Sequence, residues 1–91
     1  MPSIRIQHAH SLSPGNAKQA VSRIAERIAA EFSVHTRWEN NVLHFQRTGV
    51  DGTIAVDGNQ VNVQANLSFL LTPIRGKVES EIRRYLDEQL A

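Results

Sequence analysis

Residues 34–71 read VHTRWENNVLHFQRTGVDGTIAVDGNQVNVQANLSFLL, and three turn signals divide them into four segments of strand length. Asparagine and glycine tolerate the positive φ that two-residue hairpin loops need, so the spacing predicts tight hairpins. The turn signals are Asn40-Asn41, Gly49-Val50 and Gly58, the last as either Asp57-Gly58 or Gly58-Asn59. The stretch therefore predicts a four-stranded antiparallel meander.

Two-residue loops also predict which side chains face each other across the meander. Every apolar pair then falls on one face, and an odd slip in any pairing would mix the faces because side chains alternate with period two. Across the first two loops the predicted pairs are Trp38 with Leu43, Thr36 with Phe45, Phe45 with Ile54, and Leu43 with Val56. Across the last loop they are Val56 with Val61 and Ile54 with Val63 if the loop is Gly58-Asn59, or Ile54 with Val61 if it is Asp57-Gly58.

Polar side chains collect on the opposite face of the predicted meander, which we expect to face water. The aromatic residues Trp38, Phe45 and Phe69 all follow the buried phase, so the polar face offers no stacking platform for nucleic-acid bases. The polar set is His35, Arg37, His44, Gln46, Thr53, Asn62 and Gln64.

One further strand and two helices are predicted around the meander. Residues 3–10 alternate like a strand, and Gln60–Leu71 is the longest strand of the meander. Ser13-Pro14 and Thr72-Pro73 each resemble a helix start, with a capping hydroxyl followed by proline. Each start precedes an apolar stripe at helical spacing. The stripes are Ala17, Val21, Ile24, Ile28 and Phe32, then Ile74, Val78, Ile82, Tyr85 or Leu86, and Leu90.

The element order β-α-β-β-β-β-α predicts an α+β fold in a single domain over residues 1–91. We expect a two-layer sandwich, in which a five-stranded antiparallel sheet carries both helices on one face. Pairing of the first strand with the long fifth strand gives the order 1-5-4-3-2, although pairing with the second strand remains open. The arrangement is similar to a reduced helix-grip fold.

Composition restricts the class of function. A net charge of +1 argues against a nucleic-acid partner, since the phosphate backbone demands a basic excess. The chain has no cysteine, and no apolar run approaches the roughly 18 residues of a membrane span. The beginning of the chain lacks the apolar core of a signal peptide. We therefore expect a soluble cytoplasmic protein.

No constellation of side chains predicts catalysis, a metal or a cofactor. His8 and His10 share a strand face and resemble a metal pair, but His35 and His44 follow the polar phase instead, so the four histidines do not converge. Asp51 and Asp57 are explained by turns. We expect no catalytic, cofactor-binding or metal-binding residue.

The segment that follows the polar–apolar alternation is unusually apolar. Leu70 breaks the alternation, so either a loop or helix covers it or it meets a dimer partner, an apolar ligand or a lipid-like surface. We expect a hydrophobic contact site, for which the candidates are Leu67, Phe69, Leu70, Leu71 and Ile74.

Several short motifs in order resemble the polyhydroxyalkanoic acid (PHA) system proteins, small bacterial proteins linked to the PHA granule region. The motifs include His10-Ser11-Leu12, Trp38-Glu39, Val42–Phe45, Gly49–Ile54 and Leu70–Gly76. The resemblance implies a role in PHA metabolism or at the granule surface. The leading hypothesis is a non-enzymatic accessory protein whose hydrophobic contact site binds the granule surface, another PHA-system protein or a second copy of the chain. The resemblance supplies no catalytic residues. The runner-up is a small carrier of an acyl or hydroxyacyl ligand in a helix-grip-like cavity.

Overall fold

The chain forms five strands and two helices in a computed structural model that describes residues 3–90. The predicted α+β class and element order are confirmed, with one 3₁₀ turn added before the second helix. The elements are β1 (Ser3–Ala9), α1 (Pro14–Phe32), β2 (His35–Glu39), β3 (Val42–Arg47), β4 (Val50–Val56), β5 (Gln60–Leu67), the 3₁₀ turn (Phe69–Ile74) and α2 (Arg75–Leu90).

The five strands form one antiparallel sheet in the order β1-β5-β4-β3-β2, as predicted. Trp38 lies opposite Leu43 and Val56 lies opposite Val61, which confirms the first loop and selects Gly58-Asn59 as the third. The predicted pairing of β3 with β4 is wrong by two residues. Phe45 lies opposite Gly52, and the loop is Thr48-Gly49. Gly49 takes the positive φ of 84° that the neighbouring valine would resist.

The observed register places the largest side chain of β3 against a residue that has none. A Cβ atom on Gly52 would lie 2.5 Å from Phe45 Cζ and closer still to the backbone oxygen of Gln64. Phe45 is only 4% exposed, so its ring occupies the space that a side chain at position 52 would take. A shift of two residues preserves the face of every side chain, which is why the predicted faces hold although the pairs change.

Both helices pack on the apolar face of the sheet and contact each other. The Ser13 hydroxyl accepts a hydrogen bond from the Asn16 amide at 3.3 Å, and α1 ends at Ser33, which has a φ of 57°. Burial of aliphatic side chains from both layers supplies the main favourable free energy of folding. The largest fully buried side chains include Ile4, Ile24, Leu43, Ile54, Leu67, Ile82 and Leu86.

Strand β5 ends at Leu67 rather than at the predicted Leu71. Ser3 pairs with Asn66 and Val50 pairs with Leu67, so within residues 3–90 neither neighbouring strand extends past Leu67. The chain instead turns through the 3₁₀ segment, and α2 begins at Arg75, not at Thr72-Pro73. The helix-grip comparison stays a prediction. Within residues 3–90, no helix is both long and apolar enough to cross a membrane.

Candidate functional site

The 3₁₀ turn presents the three large apolar side chains that are most exposed among the described residues. We name Phe69, Leu70 and Ile74 the apolar turn; their exposed fractions are 74%, 73% and 41%. The prediction that Phe69 follows the buried phase is therefore wrong, because the strand ends two residues before it. Of the other predicted contact residues, Leu71 is half-buried and Leu67 is buried in the core. The structure thus brings the five candidates together in one segment and exposes three of them.

Hydrogen bonds on both sides fix the backbone that carries the apolar turn. The Ser68 amide donates to the Gly49 carbonyl oxygen at 2.8 Å, and the Leu71 amide donates to the Ser68 carbonyl oxygen at 2.9 Å. At the start of α2, the Arg75 guanidinium donates twice to the Ser3 carbonyl oxygen, at 3.0 and 2.8 Å. The exposure of Phe69 and Leu70 is therefore a feature of an anchored turn.

A small apolar cavity lies beneath the turn, between the sheet and the two helices. Its volume is about 70 Å³, and Leu71 and Ile74 line it on the side of the turn. Arg47 also borders the cavity, and its guanidinium donates to the Phe32 carbonyl oxygen at 2.7 Å. An engineered apolar cavity that holds benzene measures about 150 Å³, so this cavity accommodates only a few methyl or methylene groups.

The sheet face opposite the helices contains an open depression of about 570 Å³. We name it the polar hollow, because hydrogen-bonding side chains from four adjacent strands surround it. Eight of them follow the polar phase of the sheet: His35 and Arg37 from β2, His44 and Gln46 from β3, Asp51 and Thr53 from β4, and Gln64 and Asn66 from β5. Thr36, which follows the opposite phase of β2, also borders the depression. The predicted polar face supplies six of the eight, whereas Asn62 lies outside the hollow.

Sequence reasoning missed Asp51 and Asn66 as members of this site. Asp51 was assigned to a turn, but β4 begins at Val50 and pairs Asp51 with both Gln46 and Asn66. Asn66 follows Gln64 by two residues along β5 and so shares its polar phase, although the predicted polar set omitted it. The depression itself had no signal in the sequence, since it depends on the shape of the whole sheet.

The side chains that surround the hollow form few contacts with the rest of the protein. Within residues 3–90 none of them takes part in a side-chain hydrogen bond, and Arg37 makes one ion pair, with Glu39 at 3.8 Å. Both members of that pair are largely exposed, and such pairs contribute about 0–1 kcal/mol. The hydrogen-bonding capacity of the hollow is therefore directed to solvent.

The other histidines have structural contacts instead. His10 is buried, and its Nδ1 accepts from the Leu12 amide at 3.1 Å while its Nε2 lies 2.9 Å from the Asp57 carbonyl oxygen. These contacts tie the segment before α1 to the β4–β5 hairpin. His8 pairs with Asp87 of α2 at 3.0 Å. No cluster of three or more histidine, cysteine or acidic residues with metal-binding geometry occurs in the described part of the chain.

A charged cluster joins the two helices on their solvent side. The Tyr85 hydroxyl donates to the Glu31 carboxylate, and this hydrogen bond, together with burial, raises the pKa of Tyr85. Arg27 stacks over the Tyr85 ring at 4.6 Å from its centroid and pairs with Glu88 at 3.0 Å. Each group in the cluster has a partner within the fold, which indicates a role in holding α1 against α2.

Comparison with known proteins identifies one family. Searches against curated proteins and against solved structures give no significant match. A family described as "Putative polyhydroxyalkanoic acid system protein" matches residues 4–90. This range includes both helices and all five strands, apart from Ser3 at the start of β1. The match therefore confirms the resemblance that the short motifs indicated, and the chain belongs to this polyhydroxyalkanoic acid system family.

Proposed function

We propose that this protein is a non-enzymatic accessory protein of the PHA system and that it docks through the apolar turn onto the polyester surface of a PHA granule. The observation that carries the proposal is the exposure of Phe69 and Leu70, 74% and 73%, on an anchored backbone. Family membership supplies the context, since the family is described as part of the polyhydroxyalkanoic acid system, whose product is an apolar polyester.

The anchoring matters because it removes the entropic cost of ordering the contact. A flexible loop loses conformational freedom when it binds, whereas a turn already held by backbone hydrogen bonds loses little. Leu67 is buried directly before the turn, and Leu71 is half-buried within it, so the exposed side chains stand on the core. The turn is in this sense preorganised for an apolar surface.

The size of the apolar turn favours an extended surface over a second copy of the chain. Three side chains of this size and exposure present on the order of 300 Å² of apolar area. A stable protein interface buries about 800 Å² on each partner, so two apolar turns face to face fall well short. On a polymer surface, complete burial of the same area contributes about 7.5 kcal/mol before binding costs.

The test measures binding of the purified protein to polyhydroxybutyrate particles by sedimentation. Leu70→Asp removes the transfer free energy of one leucine, about 2 kcal/mol, which corresponds to at least a tenfold loss of affinity. Gln19→Glu is the matched control, because it changes the net charge equally at an exposed position of α1. Circular dichroism establishes that both variants fold.

Three outcomes decide between the possible occupants. Selective loss of particle binding in Leu70→Asp supports docking on the granule surface. If neither the original protein nor Leu70→Asp binds particles, but gel filtration shows self-association of the original protein that Leu70→Asp abolishes, the turn is a homodimer contact. Equal particle binding by all three proteins refutes the role of the turn. In the native host, a fluorescent fusion should form rings around granules, and Leu70→Asp should make the signal diffuse.

A carrier of an acyl or hydroxyacyl group is the second candidate, favoured by the cavity beneath the turn. At about 70 Å³ the cavity admits a short chain only, unless the turn moves outward. Titration with 3-hydroxybutyrate and with decanoate, followed by amide NMR, tests this role. Saturable shifts at Val34 and Phe45, which line the cavity, would support a carrier, and their absence at millimolar ligand would exclude it.

A further inference from the structure

We propose that the polar hollow is a binding site for a small hydroxylated organic anion, whose carboxylate or phosphate contacts Arg37 and whose hydroxyl groups contact the amide and hydroxyl side chains of the central strands. The site lies on the sheet face opposite the helices, away from the apolar turn. The inference is independent of the proposed granule docking.

The first support is the contrast between the hollow and the other polar regions of the fold. Arg23, Arg27, Arg47, Arg75 and Trp38 each donate a side-chain hydrogen bond within the protein. The described side chains of the hollow have no such bond, although eight of them converge on one depression. A surface that only needs to be soluble is usually rich in lysine and glutamate, whereas β3, β4 and β5 contribute amides, a hydroxyl, an imidazole and one carboxylate.

The second support is the separation of charge along the hollow. Arg37 lies opposite His44 across the β2–β3 pair, and His35 lies next along the same face of β2. A guanidinium binds a carboxylate or phosphate in a forked geometry, and each imidazole offers at least one N–H donor beside it. The pairing of Arg37 with Glu39 is exposed and longer than a hydrogen bond, so a ligand anion can replace it.

The far side of the hollow provides acceptors in place of cations. Asp51 lies on β4, two strand spacings from Arg37, or about 10 Å laterally. Its carboxylate accepts hydrogen bonds from hydroxyl groups, and the Gln46 and Asn66 amides beside it both donate and accept hydrogen bonds. A ligand with an anionic end and several hydroxyl groups can form hydrogen bonds with both the Arg37 side and the Asp51 side of the hollow, whereas a plain inorganic anion can bind only the Arg37 side.

The dimensions agree with a small ligand bound weakly. A volume of about 570 Å³ falls within the range of small-molecule sites, roughly 300–1,000 Å³. Because the depression is open, water competes for every hydrogen bond, and we expect dissociation constants in the millimolar range.

The experiment titrates the folded protein with gluconate, glucose 6-phosphate and glucose at low salt and follows backbone amides by two-dimensional NMR. Gluconate tests a carboxylate, glucose 6-phosphate a phosphate, and glucose the hydroxyl groups alone. We expect saturable shifts confined to the hollow with at least one of the two anions, and affinity for glucose at least tenfold weaker.

Matched variants assign the effect to the hollow. Arg37→Gln should weaken the affinity for the anion at least tenfold, while Arg5→Gln should leave that affinity unchanged. Arg5 is an exposed arginine on the same sheet face that does not line the hollow. Leu70→Asp should also bind the anion normally, which separates this site from granule docking. Absence of saturable shifts with both anions, or equal weakening by Arg5→Gln, would overturn the proposal.

Discussion

Substitution of Gly52 by alanine tests the packing that defines the centre of the sheet. The added Cβ would lie 2.5 Å from Phe45 Cζ, 2.9 Å from Phe45 Cε2 and closer still to the Gln64 backbone oxygen. Cβ atoms in proteins do not approach other heavy atoms this closely, so something must move. The aromatic ring is buried, and the oxygen belongs to the neighbouring strand, so neither yields easily.

The expected cost follows from this crowding. One methyl group inserted into a packed core destabilises by about 1–3 kcal/mol, and a backbone obstacle places Gly52→Ala near the upper end of that range. For a domain of this length, each kcal/mol corresponds to about 4–8 °C in melting temperature. We therefore expect Gly52→Ala to melt roughly 10–20 °C below the original protein.

Thermal unfolding followed by circular dichroism measures this, with Gly76→Ala as a control of opposite sign. Gly76 lies near the start of α2, and a Cβ there would meet nothing within 4 Å. Alanine is favoured over glycine in a helix by up to about 1 kcal/mol, so this variant should melt a few degrees higher. In a double-mutant cycle, Phe45→Leu should relieve part of the cost of Gly52→Ala, because one of the two obstacles is removed. An unchanged melting temperature in Gly52→Ala, or equal losses in both glycine variants, would refute the reasoning.

Three further predictions concern the contacts that hold the elements together. His10→Ala removes both ring contacts and leaves the Leu12 amide and the Asp57 carbonyl without that partner. Urea unfolding should therefore show a loss of about 2–3 kcal/mol in the free energy of unfolding. The control, His35→Ala at an exposed position, should lose less than about 0.5 kcal/mol. The folded state holds the Tyr85 proton more firmly than the unfolded chain, because its pKa is raised by Glu31 and burial. The contribution of Tyr85 to the unfolding free energy should therefore be fully present below about pH 10 and be lost as the pH rises further, and Tyr85→Phe should abolish that part of the decline. Ser13→Ala removes the cap of α1 and should cost about 1 kcal/mol in the same urea assay, whereas a loss below 0.3 kcal/mol would indicate that the cap hydrogen bond contributes little.

The polar–apolar alternation predicted the faces of the sheet correctly but not every pairing. Trp38 opposite Leu43 follows from the loop predicted at Asn40-Asn41, whereas the loop at Gly58 had two predicted forms, of which the structure has the one that sets Val56 opposite Val61. At Gly49 two loops were compatible with the same faces, and packing selected the one that sets Phe45 against Gly52. Sequence pattern fixes parity because side chains alternate, whereas the choice between registers two residues apart depends on the fit of side chains across strands.

At the end of β5 the residue pattern likewise predicted where a candidate site lies, whereas packing decided which of its side chains are exposed. The apolar residues from Leu67 to Ile74 marked a contact segment, but which of them are exposed depends on where β1 and β4 stop. The polar residues of the hollow follow the alternation, but the predicted polar set omitted Asn66, and the turn assigned to Asp51 concealed that residue.

By itself, the sequence determined the order of the strands and helices along the chain, the two faces of the sheet and the family, because these follow from local periodicity, capping and ordered short motifs. It favoured pairing of β1 with β5 but left pairing with β2 open, and the tertiary structure made that choice. Only the tertiary structure decided the β3–β4 register, the exposure of Phe69 and Leu70, and the depression that gathers eight polar side chains. Those features arise from packing between strands distant in the chain and from the curvature of the whole sheet, neither of which a local pattern of residues encodes.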